Sequence, residues 1–447
     1  MNGGRSERLA AFVSGNASFP ESVFSEARRS ILNGIATGLA GSADPETLPA
    51  LRIAERFAAS EECSLIGRPT KLDVLGAAFV NAITINVHDF DDTHPETILH
   101  PTAPVLPVLL ALSEVMPVTG RSLLEAFIIG VEVECRIANA VSPGHYRRGW
   151  HITSTCGIFG AAAAAGRLLK LDAAGVIAAF GIASAQASGL VETLGTMAKS
   201  VGVGNAAKNG LQAALLARDG MRGPPHPLEG PRGFLNVTCD SPRPEELDER
   251  LGERWEILRN TYKPYPCGVV LNPVIEAALH LAREEGVSAG AVETAVVTGH
   301  PLLAERTDRP DISTGREAQV SAQHAVAVSL LRKKAGLAQF SDAEVANAET
   351  SALRERVVVA QDPYLPLGAA RLDLGLYDGR KASRVIMTAW GDRERPLGDA
   401  DIHKKLVDLA SECAPTIDPE LVAERIRKLS SAENAASLAQ TLSTRLP

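Results

Sequence analysis

The chain has 447 residues, enough for two cores and a large cleft. Its 45 Lys plus Arg against 53 Asp plus Glu are spread along the sequence without a basic run, which excludes nucleic acid as the expected partner. Six cysteines without a C-x-x-C pair or zinc-ligand spacing, and apolar runs too short to cross a bilayer, predict a cytoplasmic protein with reduced thiols and no membrane segment.

To about Ala217 the apolar period is helical. Asn81 to Val87 is apolar, and Pro101 to Leu112 starts another apolar helix. Between them lies His88-Asp-Phe-Asp-Asp-Thr-His94, followed by His100-Pro101. Three aspartates and three histidines in thirteen positions are costly to bury unless they bind or catalyse something. A capped helix end would use Asp91 or Asp92 without chemistry. The His88-Asp89 pair also resembles the H-D pair of metal-dependent phosphohydrolases, but further His and Asp ligands on other helices are not evident, so no metal is expected.

Leu124, Phe127, Ile128, Val131, Cys135 and Ala138 form an amphipathic stripe bracketed by Gly120 and Pro143. Next, His145-Tyr146-Arg-Arg-Gly-Trp150-His151-Ile-Thr153-Ser-Thr155 runs into a helix N-terminus suited to an anion, with Thr153 or Ser154 as cap and Lys170 as its end. Capping alone, with Tyr146 and Trp150 as packing residues, is the alternative. Asp172 can cap a further helix through Ala187.

Gly195-Thr-Met-Ala-Lys199-Ser-Val-Gly-Val-Gly-Asn205 reads as a glycine-rich loop with one lysine, either snorkelling at the surface or directed into a pocket. Its glycine spacing is not that of a phosphate-binding loop. A helix from Ala206 to Asp219 follows, closed by Gly220. Residues 221 to 267 form an irregular Pro/Gly-rich link ending in Lys263-Pro-Tyr-Pro-Cys267, where two prolines stiffen the backbone that presents Lys263 and Tyr265.

Beyond 267 the texture is mixed. Val292 to Thr298 and Arg356 to Ala360 read as strands, and Ala370 to Tyr377, Asp378-Gly379 and Ser383 to Trp390 as a hairpin. Helices are expected at about 269 to 285 and 317 to 333; the second carries His324 on an apolar face, where a hydrogen-bonded core histidine is the usual finding. From Asp401 the pattern is helical again. The expected fold is mainly α: an all-helical domain of 1–267 with 398–447, and a smaller α+β lid domain of 268–397.

D-F-D-D-T-H at 89–94, H-P at 100–101, G-W-H-x-T-S-T at 149–155, G-T-M-x-K at 195–199, G-N-A-A-x-N-G at 204–210, L-E-G-P-x-G-F at 228–234 and K-P-Y-P-C at 263–267 together resemble the MmgE/PrpD family over nearly the whole chain. That family includes 2-methylcitrate dehydratases, cis-aconitate decarboxylases and an iminodisuccinate epimerase, with a helical domain, a smaller α+β lid and no metal or cofactor. The resemblance implies that Asp89, Thr93, His100, His151, Lys199 and Lys263 line the active cleft.

Family lyases typically carry a histidine where this chain has Gly202 and a tyrosine where it has His324. Both differences alter proton-transfer groups and point to the epimerase branch. The expected reaction is then proton removal and return beside a carboxylate of an aminodicarboxylate, with a lyase as the alternative. Lys199 with Tyr146 or His151 would flank the carbon and Asp89 would orient an imidazole, while Thr93, His100, Lys263, His324 and Thr153 bind substrate. The expected partner is a di- or tricarboxylate, and the small-residue helices suit a homodimer.

Overall fold

The computed structural model describes residues 4–443 and divides into two units. The first comprises residues up to Val87, Asp91–Asn260 and Gly398 onward; the second comprises His88–Phe90 and Thr261–Leu397. The fold is mainly helical with a small mixed sheet. Among the described residues no helix is long and apolar enough to cross a membrane.

The long helices of the first unit include α1 (Glu21–Ser42), α2 (Val74–Asn86), α3 (Thr102–Val115), α4 (Gly120–Val141), α5 (Ile152–Leu168), α6 (Ala173–Ser184) and α7 (Ala198–Arg218). Asp73 caps α2, Thr119 caps α4 and Asp172 caps α6, each accepting from the backbone of the first turn. Helix α5 is almost wholly buried and packs on α3, α4, α6 and α7.

Small residues permit that closeness. A Cβ at Gly160 would lie 2.5 Å from Glu134 Oε2, and one at Gly210 would lie 2.5 Å from the Ile158 carbonyl. The helix Asp399–Cys413 returns to pack on α1. The helical expectation for this unit misses one short ribbon, in which Cys63 pairs with Leu72 and Ser64 with Lys71.

The segment 195–205 departs from its expected loop form. Helix α7 already begins at Ala198, so Gly202 and Gly204 are helical. A Cβ at Gly204 would meet Phe79 and Ile83 of α2 at 2.8 Å, so this glycine serves close packing and not turn formation. The cap of α5 also differs: His151 is the N-cap residue, without a side-chain cap bond, and Thr153 and Ser154 lie inside the first turn.

In the second unit, strands β1 (Val292–Gly299), β2 (Val357–Gln361), β3 (Ala370–Leu376) and β4 (Lys381–Ile386) form a sheet in the order β2-β1-β3-β4. β1 runs parallel to β2 and antiparallel to β3. The β3–β4 hairpin turns at Asp378-Gly379, where Gly379 takes φ +84°. Alternate strand residues Ala295, Val297, Leu372 and Leu374 form one core with Val274, Ala278 and Leu281 of α8 (Asn272–Arg283) and Val326 and Leu330 of α9 (Ala322–Arg332).

Candidate active site

The acidic stretch is divided between the two units. In the second, Asp89 takes φ +51°, and the Lys263 ammonium lies 3.0 Å from its carboxylate and donates to its carbonyl at 2.7 Å. Lys263 is only 3% exposed, so this ion pair is held largely out of water. Gln319 donates to the His88 carbonyl at 3.1 Å.

His324, expected among the substrate-binding groups, is a core residue of this unit. It is fully buried, its Nε2–H donates to the Gln339 carbonyl at 2.8 Å, and its ring packs beside Phe340. Burial pushes the imidazole down, towards a neutral ring. An apolar helix face at positions 322, 325, 326 and 328 draws the ring inward with it.

The first unit assembles a connected set of polar groups. Asn86, at the end of α2, donates to Asp91 Oδ2 at 2.9 Å, and Asp91 Oδ1 lies 3.2 Å from Nδ1 of His100. The same Nδ1 is 3.0 Å from the Asp92 carbonyl. A carbonyl and a carboxylate can only accept, so Nδ1 carries a proton and Nε2 is the nitrogen that exchanges one. Asp91 is thus a carboxylate set beside the His100 ring in this unit, as Glu256 is beside His94.

Across from this turn, the His100 backbone N–H donates to Thr153 Oγ1 in the first turn of α5 at 3.1 Å. His151 begins that turn. Its N–H donates to the Gly189 carbonyl at 3.0 Å, and its Nδ1 is 2.7 Å from Ser154 Oγ. Ser200 of α7 reaches Asn86 Oδ1 at 3.3 Å. His100, Thr153, His151 and the start of α7 thus belong to one neighbourhood.

Lys199 lies in the first turn of α7, half-buried and three residues before Gly202, on the same helix face. A Cβ on Gly202 would stand 2.5 Å from Ser154 Oγ, which places that face of α7 against the His151 turn. Tyr146 is half-buried in the short helix Gly144–Arg147 that leads into the turn, and Thr93 is buried beside Asp92 in sequence.

Behind these groups sit carboxylates in unusual surroundings. Burial pushes the Asp92 carboxyl up to about 6, although Thr102 and Asn260 donate to it. Glu134 of α4 is fully buried, and neither of its oxygens has a hydrogen-bond partner among the described residues. Burial, and then the charge of Asp92, push it well above the ordinary carboxylate range, towards the neutral acid.

Glu256 behaves oppositely. Burial alone would raise it, but the hydrogen bond and charge of His94, together with Arg254 and Arg259, hold it at about 2. Ser154, Glu134 and the His94–Glu256 pair were missed in the sequence. His94 stood in the acidic and histidine stretch without its partner, and Ser154 was read only as a helix cap.

Residues 7–247 match the MmgE/PrpD N-terminal domain and residues 265–429 the MmgE/PrpD C-terminal domain. The chain belongs to the MmgE/PrpD family. It is 27% identical to a cis-aconitate decarboxylase of Mus musculus over 441 residues, 94% of this chain and 89% of the relative. It is similarly 27% identical to the cis-aconitate decarboxylase of Homo sapiens, over 94% of this chain and 90% of the relative. With the cis-aconitate decarboxylase-like protein oryM of Aspergillus oryzae it shares 29% identity over 95% of this chain and 93% of the relative.

These MmgE/PrpD relatives are lyases by name. They favour the lyase alternative over the epimerase branch to which Gly202 and His324 had pointed.

Proposed function

We propose that this MmgE/PrpD protein is a lyase acting on a tricarboxylate of the cis-aconitate class, releasing carbon dioxide. The observation that carries the reading is His100: with Nδ1 held by the Asp92 carbonyl and the Asp91 carboxylate 3.2 Å away, its Nε2 is poised to give or take a proton. The names of the relatives supply the substrate class.

Loss of carbon dioxide breaks a carbon–carbon bond and leaves its electron pair on a carbon conjugated with an alkene and a carboxylate. A proton must then reach that system, and the charge must be stabilised until it does. Lys199 and the backbone N–H groups at the start of α5 supply positive potential for a carboxylate, stronger in the transition state than in the ground state. His100 or His151 delivers the proton. The same groups suit dehydration, in which a proton leaves beside a carboxylate as hydroxide departs.

The test is direct. Purified protein incubated with cis-aconitate should release one carbon dioxide per substrate consumed, with the product identified by proton NMR. Consumption without gas, or no consumption while 2-methylcitrate loses water, would replace decarboxylation by the dehydratase reading.

A further inference from the structure

Ser154 is the feature of the first unit that no assigned role absorbs. It is 2% exposed, its Oγ lies 2.7 Å from His151 Nδ1, and two glycines wall it in. A Cβ on Gly189, which takes φ +134°, would come within 2.5 Å of Ser154 Cβ and 3.0 Å of Oγ. A Cβ on Gly202 would come within 2.5 Å of Oγ itself. Gly202 lies inside a helix, where glycine is a poor choice on backbone grounds, so space is what its presence provides.

We infer that Ser154 is the positioning residue of His151, and that Gly189 and Gly202 keep its hydroxyl on the imidazole. With the Ser154 Oγ accepting from Nδ1–H, Nε2 is left to gain and lose the proton, so the hold persists in both the neutral ring and the cation. A carboxylate in its place would favour the cation, and a methyl group would hold neither form. The ring is thereby oriented with Nε2 as its exchanging atom. The inference rests on the proposed reaction only for its kinetic consequence; the orientation itself is independent of substrate.

Two variants test it in the full chain. Ser154→Ala deletes the hydroxyl, and Gly202→Ala keeps it but displaces it, while alanine by itself favours the helix. The protein is labelled with 15N at histidine, and the His151 ring signals are assigned by their loss in His151→Gln. Wild type should show one tautomer of His151, and both alanine variants a mixture of two.

With cis-aconitate, kcat should fall in both variants by about tenfold to a hundredfold, less than the 10²–10⁴ carried by the proton transfer itself, with KM little changed. Unchanged His151 nitrogen signals in Ser154→Ala and in Gly202→Ala would overturn the inference. Absence of turnover in wild type would sink the lyase reading instead, and the nitrogen signals then decide this inference alone.

Discussion

Asp91 Oδ1 stands 3.2 Å from His100 Nδ1, and Asn86 holds the other oxygen of the same carboxylate at 2.9 Å. The carboxylate is fully buried, so its charge acts on the ring through little solvent. Asp91→Asn keeps the shape and removes the negative charge beside the ring. The kcat with cis-aconitate should fall about 10²–10⁴-fold with a smaller change in KM, as expected where general acid–base chemistry is disabled. Steady-state kinetics on the folded variant, checked by circular dichroism, measures it.

Asp92 gives a pH signature of known sign. Its carboxyl lies at about 6 in the fold against 3.8 for the ordinary group, so the folded state binds the proton more tightly than the unfolded one. The fold is favoured below pH 3.8 by this group, and that contribution is lost as pH rises through 6. The difference corresponds to roughly 3 kcal/mol. Glu132, raised to about 7 by burial despite Arg136, contributes in the same direction. Asp92→Asn should flatten the fall of unfolding free energy between pH 4 and 7 by most of its share, read from urea titrations at several pH values.

Glu256 has the opposite sign. Held at about 2 against 4.5, it stabilises the fold above pH 4.5, and that contribution is lost as pH falls towards 2. Glu256→Ala leaves His94 buried beside a cavity and the Asn139 amide without its acceptor. The cost at pH 7 should be about 3–5 kcal/mol, seen as a lower urea midpoint whose fall below pH 4.5 is shallower than in wild type.

Glu134 should tolerate neutral replacement. Because burial favours the neutral acid, Glu134→Gln should change stability at pH 7 by no more than about 1 kcal/mol. Gly160→Ala, whose new methyl would meet Glu134 Oε2 at 2.5 Å, should cost about 1–3 kcal/mol by overpacking. A reversed order of the two effects would contradict the assignment of a protonated acid packed against a glycine face.

What the sequence disclosed and what it hid divide along physical lines. Local signals survived folding: Asp172 caps its helix, the Asp378-Gly379 turn joins β3 and β4, and the acidic stretch is a connector between α2 and α3. The glycines of 195–205 misled because a backbone without side chains serves a loop and a tight helix contact equally well. Their partners on α2 and α5 are far away in sequence.

The same distance hid the polar partnerships. Asn260 meets Asp92 across 168 residues and His94 meets Glu256 across 162, spans that no periodicity encodes. His324 could not be placed from its pattern, since a buried ring and a binding ring both sit on an apolar helix face. Folding buries the ring and gives its Nε2–H to the Gln339 carbonyl, a partner the helix pattern does not show.

The proposed reaction is cleavage of a carbon–carbon bond in a bound tricarboxylate, with the chain's own histidines protonating what remains. The most direct measurement is 13C and deuterium NMR of uniformly 13C-labelled cis-aconitate turned over in deuterated water by wild type, Lys199→Ala and His151→Asn. The account predicts one labelled carbon dioxide and one solvent deuteron per product molecule in wild type, and a loss of at least 10²-fold in both variants. Substrate returned with exchanged deuterium but all of its labelled carbons, and no released gas, would contradict it.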